Sequence, residues 1–416
     1  MNDRVQERIA AVWRIEAPKL IAYLARMTRD IGRAEDIAAD AFVAALAQWP
    51  SEGIPRIPGA WLMTAAKRRL VDRVRRDKTL AEKTAQLQNQ LPYSGAEPDF
   101  ATAYEEIDDD LLRLMFVACH PVLSPEARVA LTLKLLGGLT TAEIARAYLS
   151  SEATVAQRIV RAKRTLSEAR IAFEVPEGHE RLQRLPPVLE AVYLIFNEGY
   201  SATGGDDVVR PELVEEALRL GRMLARLMPH ESEVHGLVAL MEIQASRIPA
   251  RLASDGSAIL LLDQDRGKWN RLLIQRGFDA LARAERLGPL GSYALQASIA
   301  ACHARAATPD ATDWQRIAAL YEALAVITPS PVVELNRGVA VGMAYGPEAA
   351  LAIIDALRDD PSMRAYHLLP SVRGDLLFKL GRLGEARIEF ERARDLAGNA
   401  RDRAFLQKRA DECGTL

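Results

Sequence analysis

The chain carries almost no net charge. Its 416 residues hold 54 Lys and Arg against 56 Asp and Glu, a formal charge of −2, so no global basicity marks a nucleic-acid partner and any basic surface must be local. Cysteine is equally scarce. Cys119, Cys302 and Cys413 lie far apart, and an odd number without CxxC spacing argues against both a disulfide framework and a structural zinc site, as expected in a reducing compartment. Cys119-His120 and Cys302-His303 offer no better metal set, because neighbours on a helix point ~100° apart; they read as buried thiols beside imidazoles. No apolar run approaches the ~18 residues of a membrane span. The N-terminal stretch MNDRVQERIAAVWRIEA carries acids and lacks the apolar core of a signal peptide, so the expected location is the cytoplasm. Neither a phosphate-binding glycine loop nor a GxSxG motif occurs, and no cofactor or metal is expected. Strand-type alternation is missing too, and the periodic stretches have helical spacing, so the expected fold is all-α.

Composition marks out four stretches: residues 5–77, ending in a burst of arginines; a linker over 78–110; a second helical block over 111–175; and a long Ala- and Leu-rich extension over 180–416. The linker's polar tract holds Gln86, Gln88, Asn89, Gln90, Pro92, Ser94, Gly95 and Pro98; its start fits a helix and its end does not. In the extension, Leu380-Gly381-Arg382 precedes Ala386, Phe390 and Ala393, the small/aromatic/small spacing of a tetratricopeptide-like hairpin. Two earlier hairpins are expected, Arg276 to Leu287 followed by Tyr293 to Ala306, and Leu335 to Ala344 followed by Pro347 to Leu357. A helical-repeat domain and an irregular helical bundle both fit this pattern.

The second block reads as a helix-turn-helix. Ser124-Pro125-Glu126 supplies an N-cap, a first-turn proline and a first-turn acid, and the helix it opens stops at Gly137-Gly138. Thr140 and Glu143 then form a capping box for a short helix. Leu149-Ser150 gives the turn, and Ser150 or Ser151 caps a third helix. On that helix Val155, Ile159, Ala162 and Leu166 form one buried stripe. The opposite face collects Thr154, Gln157, Arg158, Arg161, Arg164 and Thr165, with Lys163 at its margin. These are groove-reading and phosphate-neutralising residues in the order the motif needs. A repressor, an activator or another promoter reader can carry such a motif.

The first block adds a basic stretch, Pro55 to Lys78, in which a helix beginning near Gly59 would carry Leu62, Ala66, Leu70 and Val74 as an apolar stripe. Trp61, Arg68 and Arg75 fall on the other side at seven-residue steps, with Arg76 nearby. A ring among cations suits unpaired DNA, although an indole also packs at helix starts, and both readings of Trp61 stand. Upstream, Ala34 to Trp49 forms a helix with Ala38, Ala41, Ala45 and Trp49 inward and Phe42 near them. Its acids, Glu35, Asp36 and Asp40, make sense as a face for a protein partner.

Gly32-Arg33-Ala34-Glu35-Asp36-Ile37 with Phe42, then Gly59-Ala60-Trp61-Leu62, then Asp72-Arg73-Val74-Arg75-Arg76, then the helix-turn-helix, together resemble an extracytoplasmic-function (ECF) sigma factor of the sigma-70 family. Phe196-Asn197-Glu198-Gly199-Tyr200 and Asp263-Gln264-Asp265-Arg266 with Trp269 resemble the subgroup that carries a long tetratricopeptide-like C-terminal extension. The resemblance implies two small helical domains that bind polymerase and DNA, residues 5–77 (region 2) and 111–175 (region 4), followed by a regulatory repeat domain. It implies a factor, not an enzyme, that brings core RNA polymerase to promoters through the clamp and flap and helps open the DNA. Glu35, Asp36 and Asp40 would meet the polymerase; Trp61, Lys67, Arg68, Arg75 and Arg76 would recognise and melt the −10 element; Thr154, Gln157, Arg158, Arg161, Lys163 and Arg164 would read the −35 element. The sequence departs from the family at Ala39, where Gln is common, and at Arg68, where Asn is common; Arg68 brings phosphate attraction instead of an amide's contacts.

The extension leaves other chemistry open. Asp263 and Asp265 with Arg266, Trp269 and Asn270, or the acidic loop Gly204-Gly205-Asp206-Asp207, could serve a metal or acid/base catalysis, or could pair internally within a scaffold. Stacked hairpins present a concave surface that suits a protein or peptide ligand. Two alternatives to the sigma reading follow: a stand-alone helix-turn-helix regulator with a helical-repeat sensor, and a helical-repeat enzyme with a DNA-binding appendage.

Overall fold

In the computed structural model residues 2–82, 100–148, 150–200, 210–253, 259–398 and 400–414 are described, and every regular element among them is a helix. The polar tract at 83–99, Leu149 of the expected turn and the acidic loop at Gly204 to Asp207 lie outside the described residues. Packing divides the chain into two units, Met1–Met228 and Pro229–Leu416.

The first unit begins with three mutually packed helices, α1 (Asn2–Thr28), α2 (Ile31–Glu52) and α3 (Pro58–Glu82). The Asp30 carboxylate accepts from the Arg33 N–H at 3.0 Å, which starts α2 three residues ahead of the expected Ala34. Ile31, Ala34, Ile37, Ala38, Ala41, Ala45 and Trp49 are buried at three- and four-residue steps, and the run of alanines lets α1 approach closely. On α3, Leu62 and Ala66 are buried and Leu70 is half-buried, while the side chain of Val74 lies outside the described residues.

Helix α4 (Phe100–Ala118) occupies the end of the expected linker. An acidic run reads as a tether, but Asp110 is completely buried, with Arg26 of α1 at 3.1 Å and Arg113 at 2.6 Å on its two oxygens. Two guanidiniums on one carboxylate offset its desolvation, so the helix extends upstream of the apolar Leu111 to Val117 segment.

Next come α5 (Pro125–Leu135), α6 (Thr141–Ala147) and α7 (Glu152–Glu168), the expected helix-turn-helix. Ser124 accepts from the Ala127 N–H, and Ser151 from the Thr154 N–H. Both halves of the Thr140/Glu143 capping box form, at 2.7 and 3.1 Å. Val155, Ile159, Ala162 and Leu166 are buried. Gly138 has φ of +66°, and a Cβ there would stand 3.2 Å from the Arg14 carbonyl, so both its backbone region and its contact with α1 call for glycine.

Two further helices, α8 (Gly178–Tyr200) and α9 (Pro211–Leu227), complete this unit. The packing boundary therefore falls about fifty residues beyond the sequence-derived end of the second block. The cause is a set of guanidiniums. Arg219 donates to the Leu136 carbonyl at the end of α5, and Arg210 donates to the Ala147 carbonyl at the end of α6 and to Glu198. The last carbonyls of a helix have no intrahelical donor and sit at its negative end; here the α8–α9 hairpin supplies the donors. Arg128 of α5 pairs with Glu190 of α8 at 2.7 Å, and Arg184 of α8 lies over the Phe116 ring. A Cβ on Gly199 would come within 2.7 Å of the Val214 nitrogen, so this glycine sets how tightly the hairpin closes, and with it where Arg210 sits.

The second unit holds α10 (Ser232–Ala245), α11 (Arg271–Leu287), α12 (Ser292–Arg305), α13 (Trp314–Ile327), α14 (Pro331–Tyr345), α15 (Pro347–Ala356), α16 (Leu368–Lys379), α17 (Leu383–Leu396) and α18 (Ala400–Glu412). Helix α10 is buried continuously from Val234 to Ile243 between α11 and α12. From α12 onward each helix packs on the next. The hairpins expected from the sequence appear as α11/α12, α14/α15 and α16/α17. In the last, Ala386, Phe390 and Ala393 are buried, and Gly374 of α16 meets the Phe390 ring.

The Asp263 to Trp269 segment is a clip within this unit. Arg266 is buried and donates to the carbonyls of His303 and Ala306, both at 2.7 Å, and to the Thr312 hydroxyl, capping the end of α12. Its guanidinium lies over the Trp269 ring, 5.2 Å from the centroid. Burial, with Arg247 and Arg266 nearby, lowers His303 from its ordinary 6.5 to about 4.

Two outcomes follow. Arg210→Ala removes the donor to Ala147 O and the partner of Glu198 and is expected to cost the first unit ~3 kcal/mol, read as faster amide exchange across residues 141–168; unchanged exchange there would mean that Arg210 contributes no stability to the seam. For His303, the folded unit resists a proton that the unfolded chain accepts, so stability is flat above pH 6.5 and falls between pH 6.5 and about 4, by at most ~3 kcal/mol. Denaturant unfolding should show this slope in the native chain and a shallower one in His303→Gln; equal slopes would contradict it.

Candidate nucleic-acid interface

The capped, amphipathic α7 divides the residues assigned to it from the sequence. Thr154, Gln157, Arg161 and Arg164 are exposed on one face at steps of three, four and three, with the exposed Val160 beside them. Two of these are cations suited to phosphates. The other two, near the helix N-terminus, can donate to and accept from base edges. Arg164 also pairs with Glu168 at 2.6 Å, an exposed contact that is weak in water. Arg158 is half-buried within electrostatic reach of Glu126, whose carboxyl is held below its ordinary value, chiefly by the Ser124 hydroxyl. Lys163 points elsewhere, to the Glu35 carboxylate of α2.

The basic helix α3 is less uniform than its sequence. Arg68 and Arg69 are exposed. Lys67 is half-buried over the Tyr23 ring, 5.3 Å from its centroid. Arg73 sits 3.9 Å from both Asp36 and Asp40. The side chains of Arg75 and Arg76 lie outside the described residues. Trp61 is half-buried and meets the buried Trp49 edge-on at 5.3 Å, so it packs at the start of α3 while keeping part of its ring at the surface. A Cβ on Gly59, just ahead, would lie 2.6 Å from the Glu16 carboxylate.

On α2, Asp36 and Asp40 are exposed as expected, whereas Glu35 is engaged by two lysines, Lys163 and Lys134. Sequence reasoning missed Val43 and Leu46, exposed at 63% and 40%. Val43 follows Asp40 by three residues and Asp36 by seven, so acids and an uncovered apolar residue share one face. The signal was present: Ala38, Ala41 and Ala45 already fill the inward stripe, which leaves Val43 and Leu46 off it.

In the extension the paired acids stand at the surface and the arginine that follows them does not. Asp263 and Asp265 are exposed, Asp265 caps the Gly267 N–H at 2.9 Å, and Arg266 between them and Trp269 turns inward. Among the described residues no group of three His, Cys, Asp or Glu is placed to hold a metal. Cys119 lies 3.2 Å from the Thr132 hydroxyl, and burial pushes its thiol up to about 11; the His120 ring accepts from the Val122 N–H. No helix among the described residues is long and apolar enough to cross a membrane.

Known families match the chain in the same order. Residues 12–79 match Sigma-70 region 2, residues 113–166 match Sigma-70, region 4, and residues 184–285 match a family of unknown function, DUF6596. An uncharacterized protein of Rhizobium meliloti (strain 1021) is 42% identical over 395 residues, which are 95% of this chain and 93% of that protein. The probable ECF RNA polymerase sigma factor SigI of Mycobacterium tuberculosis is 29% identical over 174 residues, 42% of this chain and 59% of its own length. The ECF RNA polymerase sigma factor SigK of Mycobacterium ulcerans is 29% identical over 156 residues, 36% of this chain and 78% of its own length. Likeness to the sigma factors thus covers less than half of the chain, while likeness to the Rhizobium protein runs through nearly all of it. With both sigma-70 regions in order ahead of a helical extension, the chain belongs to the sigma-70 family, as a member extended at its C-terminus.

Proposed function

We propose that this chain is an ECF-type sigma factor that directs core RNA polymerase to a particular set of promoters in the cytoplasm and helps open the DNA there. The observation that carries the reading is the exposed Thr154, Gln157, Arg161 and Arg164 face of a capped helix-turn-helix, lying behind a separate acidic and apolar face on α2. A lone regulator has use for the first of these surfaces and none for the second. In this reading α7 enters the major groove of the −35 element. The cations of α3, Lys67, Arg68, Arg75 and Arg76, hold the −10 strands while the surface part of the Trp61 ring meets an unstacked base. Asp36 and Asp40, with Val43 and Leu46, dock on the clamp of the largest subunit, and the helix-turn-helix reaches the flap.

The second unit acts in this proposal as a tetratricopeptide-like repeat domain with a regulatory role. Support comes from the sequential packing of α12 to α18 and from the small/aromatic pairing of Gly374 with Phe390. Its ligand would be a protein or peptide, and its role would involve no catalysis, since Arg266, which follows the paired acids, caps a helix.

Single-round transcription with core polymerase and a pool of genomic promoter fragments separates this reading from that of a stand-alone regulator. The expected result is initiation at promoters the core alone ignores, with Arg161→Ala lowering the yield about tenfold, or ~1.4 kcal/mol. Tight sequence-specific duplex binding without any initiation would support the regulator instead.

A further inference from the structure

Arg266 has hydrogen-bonding capacity left over after it caps α12. Of the five N–H groups of a guanidinium, the two on Nη1 are spent on the carbonyls of His303 and Ala306, both at 2.7 Å, and one on Nη2 reaches the Thr312 hydroxyl at 3.3 Å. The Nε–H is buried without a partner. What remains is the Nε/Nη2 edge, the fork that matches two oxygens of a carboxylate or phosphate. All three acceptors are neutral. The negative end of α12 offsets part of the charge, but no carboxylate meets a side chain that is only 7% exposed. Arg247 places a second positive charge nearby, and burial and the two guanidiniums together hold the His303 imidazole down. A second donor stands beside the first. The indole N–H of Trp269 is also buried without a partner, and its ring centroid is 5.2 Å from the Arg266 guanidinium carbon. Buried donors are normally satisfied; two adjacent ones on a cation that no carboxylate pairs call for an acceptor with negative charge.

We propose that Arg266 and Trp269 form a binding site for a small oxyanion, a carboxylate or a phosphate, within the second unit. The Nε/Nη2 edge takes two oxygens side by side, and the indole N–H donates to one of them. Ring and guanidinium are in cation–π contact, which holds both donors in place before the ligand arrives. Gly267 and Lys268, between them in the chain, are exposed, so the site lies one layer of chain below the surface. The short 3-10 turn Arg266–Lys268 is what shifts to admit the anion. This clip already bridges two helices, through the Asn270 N–H to Ser246 O at the end of α10, 2.8 Å, and through Arg266 to the end of α12. A bound oxyanion fixes it further, which makes the packing of α10 and α12 responsive to a small molecule. The site belongs to the second unit alone and does not depend on the sigma reading.

The test uses the full chain with inorganic phosphate and acetate as probes, against potassium chloride at equal ionic strength. The chain has five tryptophans, so the indole N–H signal of Trp269 in a nitrogen-15 NMR spectrum is identified by its loss in Trp269→Phe or, should that chain not fold, by elimination with the other four. In the native chain this signal is expected to move saturably with phosphate, acetate or both, while chloride leaves it in place. A response to acetate alone assigns the site to a carboxylate ligand, and one to phosphate alone assigns it to a phosphorylated ligand. The active probe should also raise the urea midpoint of the native chain. Trp269→Phe keeps an aromatic ring against the guanidinium but has no N–H, and should need about tenfold more anion for the same rise. A Trp269 signal that neither probe moves overturns the site. So does an equal rise of the midpoint in both chains, the mark of a general salt effect.

Discussion

Two backbone carbonyls govern how the promoter-reading part of this molecule is built. Leu136 O and Ala147 O close the first two helices of the helix-turn-helix, and each accepts a hydrogen bond from an arginine of the hairpin that follows. A helix of seven residues such as α6 has few intrahelical bonds of its own. Its start is secured by a capping box and its end by Arg210, so the piece of backbone that aims α7 is fixed from both sides. Removing the α8–α9 hairpin would expose the buried faces of α4 and α5 as well as those carbonyls. The hairpin is therefore part of the DNA-reading unit, although it lies in the C-terminal extension by sequence.

The same device recurs where the motif looked chemical. Arg266 follows two acids two residues apart, a pattern that invites a catalytic or metal-binding reading, yet its guanidinium ends α12 by bonding to His303 O and Ala306 O. The sequence motif of the second unit is a helix cap, and that of the first, from Phe196 to Tyr200, positions Arg210 through Glu198 and the close approach at Gly199. In both motifs the side chains that turn inward cap or close helices.

Local signals made much of this legible in the amino-acid sequence. Ser124, the Thr140/Glu143 box and Ser151 act within three residues of themselves, and the Val155 to Leu166 stripe reports its own burial; these gave the helix-turn-helix correctly. What remained hidden depends on distant partners. Arg210 and Arg219 act on carbonyls 63 and 83 residues away, and Lys163 meets a carboxylate 128 residues away. An acidic stretch looked like linker because nothing near Asp110 announces that Arg26 will neutralise it. The exposed position of Val43 was readable by elimination, but an apolar residue between alanines draws no attention without the packing that fills the inward stripe.

A sigma-70 family chain whose region 4 is completed by its own extension makes one requirement distinct from that of a simple two-domain factor. The direct measurement compares promoter-directed initiation by core polymerase with two shortened chains, one ending after Met228 and one after Glu177. The chain ending after Met228 keeps every donor to Leu136 O and Ala147 O and is expected to initiate; the chain ending after Glu177 loses them and is expected to fail. Initiation by the shorter chain at the level of the longer one would contradict the dependence of the DNA-reading unit on α8 and α9.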